Sequence, residues 1–379
     1  MENPFHYGEI VTGDNFADRE EELSSLVADL QGSVRLFLVS PRRYGKSSLL
    51  ASTIIKLRRQ GCLSAYIDLY KAPSLRSFAE LYVSTLTAAA HSRFEDIARL
   101  LRQLAPALRP KLSVSSEQGG ASVSFDVAFD GQEMQKKLRD VYDLPQQIAL
   151  RKKKKLVVII DEFQEIGNLG GAGMEKELRA AIQTHTHVNY VFAGSKQDVL
   201  LDMVRAKTRP FYQMGRIMVL GKIPRERFAG FLLRKFHASH YTVSPGTIDH
   251  VLETVEDFPH NGQFMCHEIW EMKRTSRRVD RSDVGAALTK ILNNNSPLYL
   301  SLWDTLSLLQ RRVLTALARE GAGGVYSKDT IARYDLGTPA STQTAVRGLQ
   351  KKGILDRPNG AFFFSDVFFK QWIIRNIQV

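Results

Sequence analysis

Hydrophobic residues follow two rhythms along this chain. Five short unbroken apolar runs, VRLFLVS (34–40), LSAYIDL (63–69), KLVVIIDEF (155–163), VNYVFAGS (188–195) and RIMVL (216–220), have strand length and no polar alternation. That pattern predicts strands covered on both faces. Between them lie stretches of helical period. In ADREEELSSLVADLQG, Asp18 is the expected N-cap, three glutamates fill the first turn and Gly32 stands just past the end. Residues 47–59, 74–101 and 132–150 carry further helical patterns. Residues 111–129 alternate around Gly119-Gly120 and predict a hairpin. Strands alternating with helices imply a mostly parallel sheet covered on both sides.

After Gly221 the strand-type runs stop, and four helical patterns follow up to Asn295. A third unit begins at Pro297, where residues 306, 309, 313 and 317 form one apolar stripe, SKDTIARYDL is a short second helix, and Thr338-Pro339 opens a third as N-cap and first position. GILDRPNGAFFFSD, with Asn359-Gly360 at its centre, then predicts two short strands. Three helices and a hairpin make a winged helix. The division expected is therefore 1–221, 222–296 and 297–379.

Chemistry concentrates at the ends of two of the strand-type runs. The first leads into SPRRYGKSS (40–48), one residue from the phosphate-loop pattern G-x-x-x-x-G-K-[ST], with Ser40 at the first glycine's place. The context required is a buried strand entering and a helix leaving, and both are expected here. Backbone N–H groups across Ser40, Arg43, Tyr44, Gly45, Lys46, Ser47 and Ser48 would then face the phosphates of ATP at a helix N-terminus. Lys46 would reach the β- and γ-phosphates, and the Ser47 hydroxyl would bind Mg²⁺. Ser40 is small enough for its turn, whereas a Cβ at Gly45 would obstruct the phosphates. The bland alternative is a turn, an ordinary helix and a surface lysine. A second run, LVVIIDEFQEI (156–166), ends in two carboxylates. Nucleotide hydrolysis needs an acid for the metal, which suits Asp161, and one to activate water, which suits Glu162. Gln164 is open between assisting that water and simple exposure.

NPFHYGEIVTGDNFADREEEL, SPRRYGKSSLL, VVIIDEFQEI and YVFAGSKQDVL together resemble the archaeal/bacterial P-loop ATPase family of the AAA+/STAND superfamily, which has replication-origin initiator ATPases as relatives. The resemblance implies an αβα core on a mostly parallel five-stranded sheet, a helical lid and a C-terminal winged helix. It implies hydrolysis of ATP to ADP and phosphate. It also places Tyr7, Gly8 and Phe16 beside the adenine, in a segment where Asp18 replaces the family's glycine. Ser195 falls at the polar sensor of the γ-phosphate, where Asn or Thr is commoner. Arg216 is the best match to an arginine finger, with Arg209 and Arg205 as alternatives, and a finger acting in trans implies a homo-oligomer.

The net charge of +12 adds a polyanionic partner to the picture. Residues 301–379 carry eleven Lys/Arg and six Asp/Glu. Gln343, Arg347 and Lys351 share the outer face of the third helix, Thr344 and Lys352 adjoin them, and Arg357 sits on the wing, groups that contact bases and phosphates of double-stranded DNA. The expected function is a DNA-associated ATPase of initiator or loader type. The alternative is a STAND-type signalling or defence switch whose winged helix binds a protein effector. RKKKK (151–155) reads as a solvated helix end. Two cysteines in unrelated contexts, an N-terminus without a leader pattern and no run long enough to span a bilayer predict a cytoplasmic protein without a membrane partner.

Overall fold

A computed structural model describes residues 2–32, 34–90, 99, 103, 110–115, 120–125, 138, 141–321, 324–357 and 362–378. It divides into two compact units, one of residues 19–41 and 46–221, the other of residues 1–18, 42–45 and 222–379.

The first unit is built on five parallel strands, β1 (Leu36–Val39), β2 (Leu63–Asp68), β5 (Leu156–Asp161), β6 (Val188–Gly194) and β7 (Arg216–Val219). Their order is β2-β5-β6-β1-β7. Each of the five apolar runs thus becomes a strand. β1, β5 and β6 are buried along their whole length, as unbroken runs require in a sheet covered on both faces. Helices Glu20–Gln31, Lys46–Arg59, Leu75–Ala89, Leu144–Lys152, Gly171–Thr184 and Gln197–Arg205 carry the chain between strands. Phe37, Phe163, Phe192 and Phe211 pack against one another inside, with Phe163 and Phe192 centroids 4.5 Å apart. The expected hairpin is present as β3 (Pro110–Ser115) paired antiparallel with β4 (Gly120–Phe125); its turn lies outside the described residues. The basic run ends its helix as expected, with residues 151–155 exposed and Lys153 in a left-handed C-cap.

One cap differs from expectation. The helix starts at Glu20 with Arg19, not Asp18, in the N-cap position, and Asp18 is left-handed at φ 33°. Arg19 is buried and donates to the Gly221 carbonyl at 2.7 Å, so packing rather than a side-chain cap sets this helix start.

The second unit is mostly helical: Arg225–Ala238, Pro245–Thr254, Pro259–Met272, Arg281–Asp304, Leu308–Glu320, Lys328–Arg333, Pro339–Lys351 and Val367–Asn376. Strands do not stop entirely after Gly221, because β8 (Thr242–Val243) pairs in parallel with β9 (Arg278–Val279). Two residues each are too few to show in a hydrophobic pattern. The helix Arg281–Asp304 runs through Pro297 without a break. Thr338 caps Pro339–Lys351 through the Ser341 amide as the sequence predicts. β10 (Leu355–Asp356) pairs with β11 (Phe363–Phe364), and Asn359-Gly360 lies outside the described residues. The helix Val367–Asn376 adds to the expected winged helix; Asp366 caps it, accepting from the Phe368 amide at 2.9 Å.

Candidate functional site

Parallel strands deliver their carboxyl ends to one edge of the sheet, where the chain order 2-3-4-1-5 of these five strands opens a crevice. β1 ends at Val39 before the loop, β5 ends at Asp161 and β6 ends at Gly194 before Ser195. In the first unit these ends bring together Lys46, Asp161, Glu162, Gln164 and Ser195.

Lys46 is buried and ion-pairs with both carboxylates, with Asp161 at its Oδ1 and with Glu162 Oε1 at 2.9 Å. A buried ammonium between two carboxylates is offset only if each group is also hydrogen-bonded. That condition is met. The Glu162 amide donates to Asp161 Oδ1 at 2.8 Å. Glu162 Oε2 accepts from the Gln164 amide at 2.5 Å and from the Ser195 hydroxyl at 2.8 Å. Burial alone would raise the Glu162 pKa, but the Lys46 charge and the three hydrogen bonds outweigh it and hold the carboxyl below its ordinary value. Glu162 is left-handed at φ 52°.

Gln164 is buried, so exposure is excluded, and its amide is held against Glu162. Its place depends on Gly194, because a Cβ there would overlap Gln164 Oε1. Sequence reading had no signal for this, since a glutamine after a strand gives no sign of which way it turns. Tyr66 was missed as well. Its hydroxyl donates to Asp161 Oδ2 at 2.5 Å. Burial and then the Asp161 charge raise its pKa well above the ordinary phenol value, while the nearby Ser47 hydroxyl opposes them. Alternation along β2 could have found it, because Tyr66 shares a face with Asp68, and Asp68 is in register with Asp161.

The loop itself is a tight turn. Arg43 is left-handed at φ 68° and Gly45 at φ 87°, which supports the glycine requirement at Gly45. Ser40 does not adopt a left-handed backbone, is fully buried and donates through Oγ to the Pro41 carbonyl at 3.1 Å. A glycine is not needed there. Lys46 through Arg59 is helical, so Ser47 and Ser48 lie in its first turn. Within the second unit, Arg43 donates to the Ser365 carbonyl at 3.0 Å and pairs with Asp366 at 3.3 Å, and Tyr44 meets the Phe258 ring edge-on at 5.4 Å.

Tyr7 belongs to the second unit, stacked on Phe264 at 4.3 Å, and half-buried Phe16 lies in the same stretch. Of the three arginines, Arg209 pairs at 2.8 Å with Glu175, which is 2% exposed, and the two form a local structural unit. Arg216 is held by Asp29 at 2.5 Å and Ser25 at 3.2 Å. Arg205 is exposed with no ion-pair partner among the described residues. On the winged helix, Gln343, Thr344, Arg347, Lys351, Lys352 and Arg357 are all exposed, while Ala345, Val346 and Leu349 face inward as expected. Lys352 donates to the Thr305 carbonyl at 2.7 Å, and Arg357 lies 4.6 Å over the Phe362 ring.

Residues 16–227 match the family described as an ATPase domain predominantly from Archaea, and residues 297–375 match a probable winged helix domain. Among curated proteins, none is similar enough in sequence to count as a relative. Among solved structures, the chain is similar to the Walker-type ATPase PABY2304 of Pyrococcus abyssi, with 18% identity, TM-score 0.66 and coverage of 98% of this chain and 99% of that one. It is similar to the Aeropyrum pernix ORC2 protein in ADPNP–ADP complexes, at 14% identity, TM-score 0.58 and coverage of 98% and 96%. The Aeropyrum pernix ORC1 protein in complex with DNA follows at 13%, TM-score 0.51 and coverage of 96% and 94%. At these identities the solved structures support the fold, an αβα P-loop core with a winged helix.

Proposed function

This chain belongs to the family of ATPase domains found predominantly in Archaea, and from that premise we propose that its ATPase activity drives a conformational change used on DNA. The single observation that carries the catalytic assignment is the buried cluster of Lys46, Asp161 and Glu162, tied down by Gln164 and Ser195. In this reading the core spans 1–221, the lid 222–296 and the winged helix 297–379.

Lys46 exchanges its carboxylate partners for the β- and γ-phosphates of ATP. That exchange frees Glu162 to take the proton of the attacking water. The Gln164 amide, which does not depend on Lys46, keeps donating to the Glu162 carboxylate and holds it in place. Ser195 gives up its hydrogen bond to Glu162 and donates to a γ-phosphate oxygen as the sensor. Asp161, held by the Tyr66 phenol, and Ser47, in the first turn of the helix after the loop, offer hard oxygen donors of the kind that fits Mg²⁺. When bound, Mg²⁺ neutralises phosphate charge that develops during transfer. Tyr7, Gly8 and Phe16 border the adenine. Arg209 pairs with Glu175 and Arg216 with Asp29, so either would exchange a carboxylate to act as a finger; on the resemblance Arg216 is the first choice, with Arg209 and Arg205 as alternatives, acting from a neighbouring subunit.

The outer face of Pro339–Lys351, through Gln343, Arg347 and Lys351 with Lys352 and the wing's Arg357, is the surface for double-stranded DNA, in an initiator- or loader-like role. One observation favours the second reading, a STAND-type switch with a protein effector. Lys352 and Arg357 already serve intramolecular contacts, which leaves fewer cations free for phosphates. Among the described residues no helix is long and apolar enough to cross a membrane.

Steady-state hydrolysis with and without duplex DNA tests the reading. Glu162→Gln is expected to lower turnover by about 10²–10⁴-fold while nucleotide still binds. Stimulation by DNA supports the DNA role, and tight ATP binding with negligible turnover and no DNA response supports the switch. Unchanged turnover in Glu162→Gln removes Glu162 as the base.

A further inference from the structure

Asp161 is held at three points. Its Oδ1 accepts from Lys46 and from the Glu162 amide, the latter at 2.8 Å, and its Oδ2 accepts from the Tyr66 hydroxyl at 2.5 Å. These holds differ in permanence. Lys46 is the one that phosphates would draw away, and the Glu162 amide is backbone next in chain. Tyr66 comes from a different strand. It sits on β2 opposite Ile159 of β5, with Asp68 opposite Asp161 two residues on, so Tyr66 and Asp161 share one face and the long phenol reaches along it. The Ser47 hydroxyl, in the first turn of the helix that leaves the loop, lies near the same phenol.

We propose that Tyr66 is a positioning residue for Mg²⁺, its hydroxyl fixing the Asp161 carboxylate once Lys46 has turned to the nucleotide. The inference rests on the nucleotide-site reading above and adds a residue to it. A phenylalanine would fill the same space and lose the donor. Asp161 Oδ2 would then have no fixed partner, and its carboxylate could rotate away from the geometry that small Mg²⁺ demands. Partners that orient metal ligands in this way are typically worth about 10–100-fold in metal affinity.

The test is equilibrium binding of a fluorescent ATP analogue to the full chain, first in EDTA and then across a Mg²⁺ titration. Tyr66→Phe is expected to bind within about twofold of the unaltered chain in EDTA and to need roughly tenfold more Mg²⁺ for its half-maximal response. Ser47→Ala serves as the reference for a lost metal ligand. An unshifted Mg²⁺ midpoint in Tyr66→Phe overturns the proposal, and so does equal weakening with and without metal, which marks a general packing role. If the unaltered chain binds no nucleotide, the nucleotide-site reading itself fails and this inference falls with it. That outcome is distinct from an unshifted midpoint in a chain that binds.

Discussion

The carboxyl ends of β1, β5 and β6 and the outer face of the helix Pro339–Lys351 both gather charge, but they hold it differently. At the strand ends Lys46 lies between two carboxylates, each of which has further hydrogen-bond donors, and the side chains are almost wholly buried. On the helix, Gln343, Arg347 and Lys351 stand in solvent, and neither cation makes an ion pair among the described residues. A buried charge network is costly to assemble, so its existence points to a use. An exposed cation costs almost nothing, so it points to a use only when a partner is found. The same formal charges therefore carry unequal weight as evidence.

The sharpest way to break the comparison is Lys46→Ala. It leaves Asp161 and Glu162 buried side by side without their cation, and the nucleotide-free protein is expected to lose about 3–5 kcal/mol in denaturant unfolding. The loss has a pH signature. The folded-state pKa of Glu162 is depressed, so its contribution is present above the unfolded carboxylate value of about 4.3 and disappears as pH falls through the folded value. Unaltered protein and variant should converge in stability under acid. A loss of under about 1 kcal/mol at neutral pH would place the cluster among ordinary surface pairs.

Gly194→Ala tests the network from behind. Its Cβ would overlap the Gln164 amide oxygen, so either the sheet end shifts or Gln164 releases Glu162. The expected cost is about 1–3 kcal/mol, the usual range for overpacking, measured by unfolding, together with a slower hydrolysis rate. If stability falls and turnover holds, Gln164 matters only for packing.

Much of the site was legible in the sequence because it is tied to chain order. Ser40 through Ser48 must follow a strand and open a helix, and Asp161-Glu162 must end one. Ser195 was reached by resemblance at the end of another strand. What was not legible depends on side chains meeting across elements. Tyr66 lies 95 residues from its partner Asp161. Gln164 reaches Glu162 only because Gly194, on another strand, leaves room for it. Nothing in the chain around Arg209 signals that Glu175, 34 residues away, pairs with it. Binary pattern fixes which residues face inward, and it cannot say which inward residues touch.

The exposed helix face gives a smaller and more conditional effect. If it contacts DNA, replacing Arg347 and Lys351 together with alanine should weaken duplex binding about tenfold at moderate salt. The slope of log affinity against log salt should fall by about 2, since each phosphate contact contributes roughly 0.9. Folding should be unaffected because neither side chain is buried. An unchanged slope would leave this face without a nucleic-acid role and shift weight to a protein effector.

Asp18 offers the smallest effect and isolates backbone from charge altogether. It stands where the family resemblance puts a glycine, and its φ of 33° is the left-handed backbone that glycine favours. Its side chain makes no hydrogen bond or ion pair among the described residues, so removing it forfeits no partner. A left-handed residue with a Cβ costs about 1–2 kcal/mol, somewhat less for aspartate. Glycine gives back about 0.5–1 kcal/mol through the freedom it adds to the unfolded chain. The balance predicts that Asp18→Gly stabilises the protein by roughly 0.5 kcal/mol, read as a small rise in unfolding midpoint. A fall would mean that the carboxylate has a role its surroundings do not reveal, and nucleotide affinity in the same variant would show whether that role belongs to the adenine side of the site.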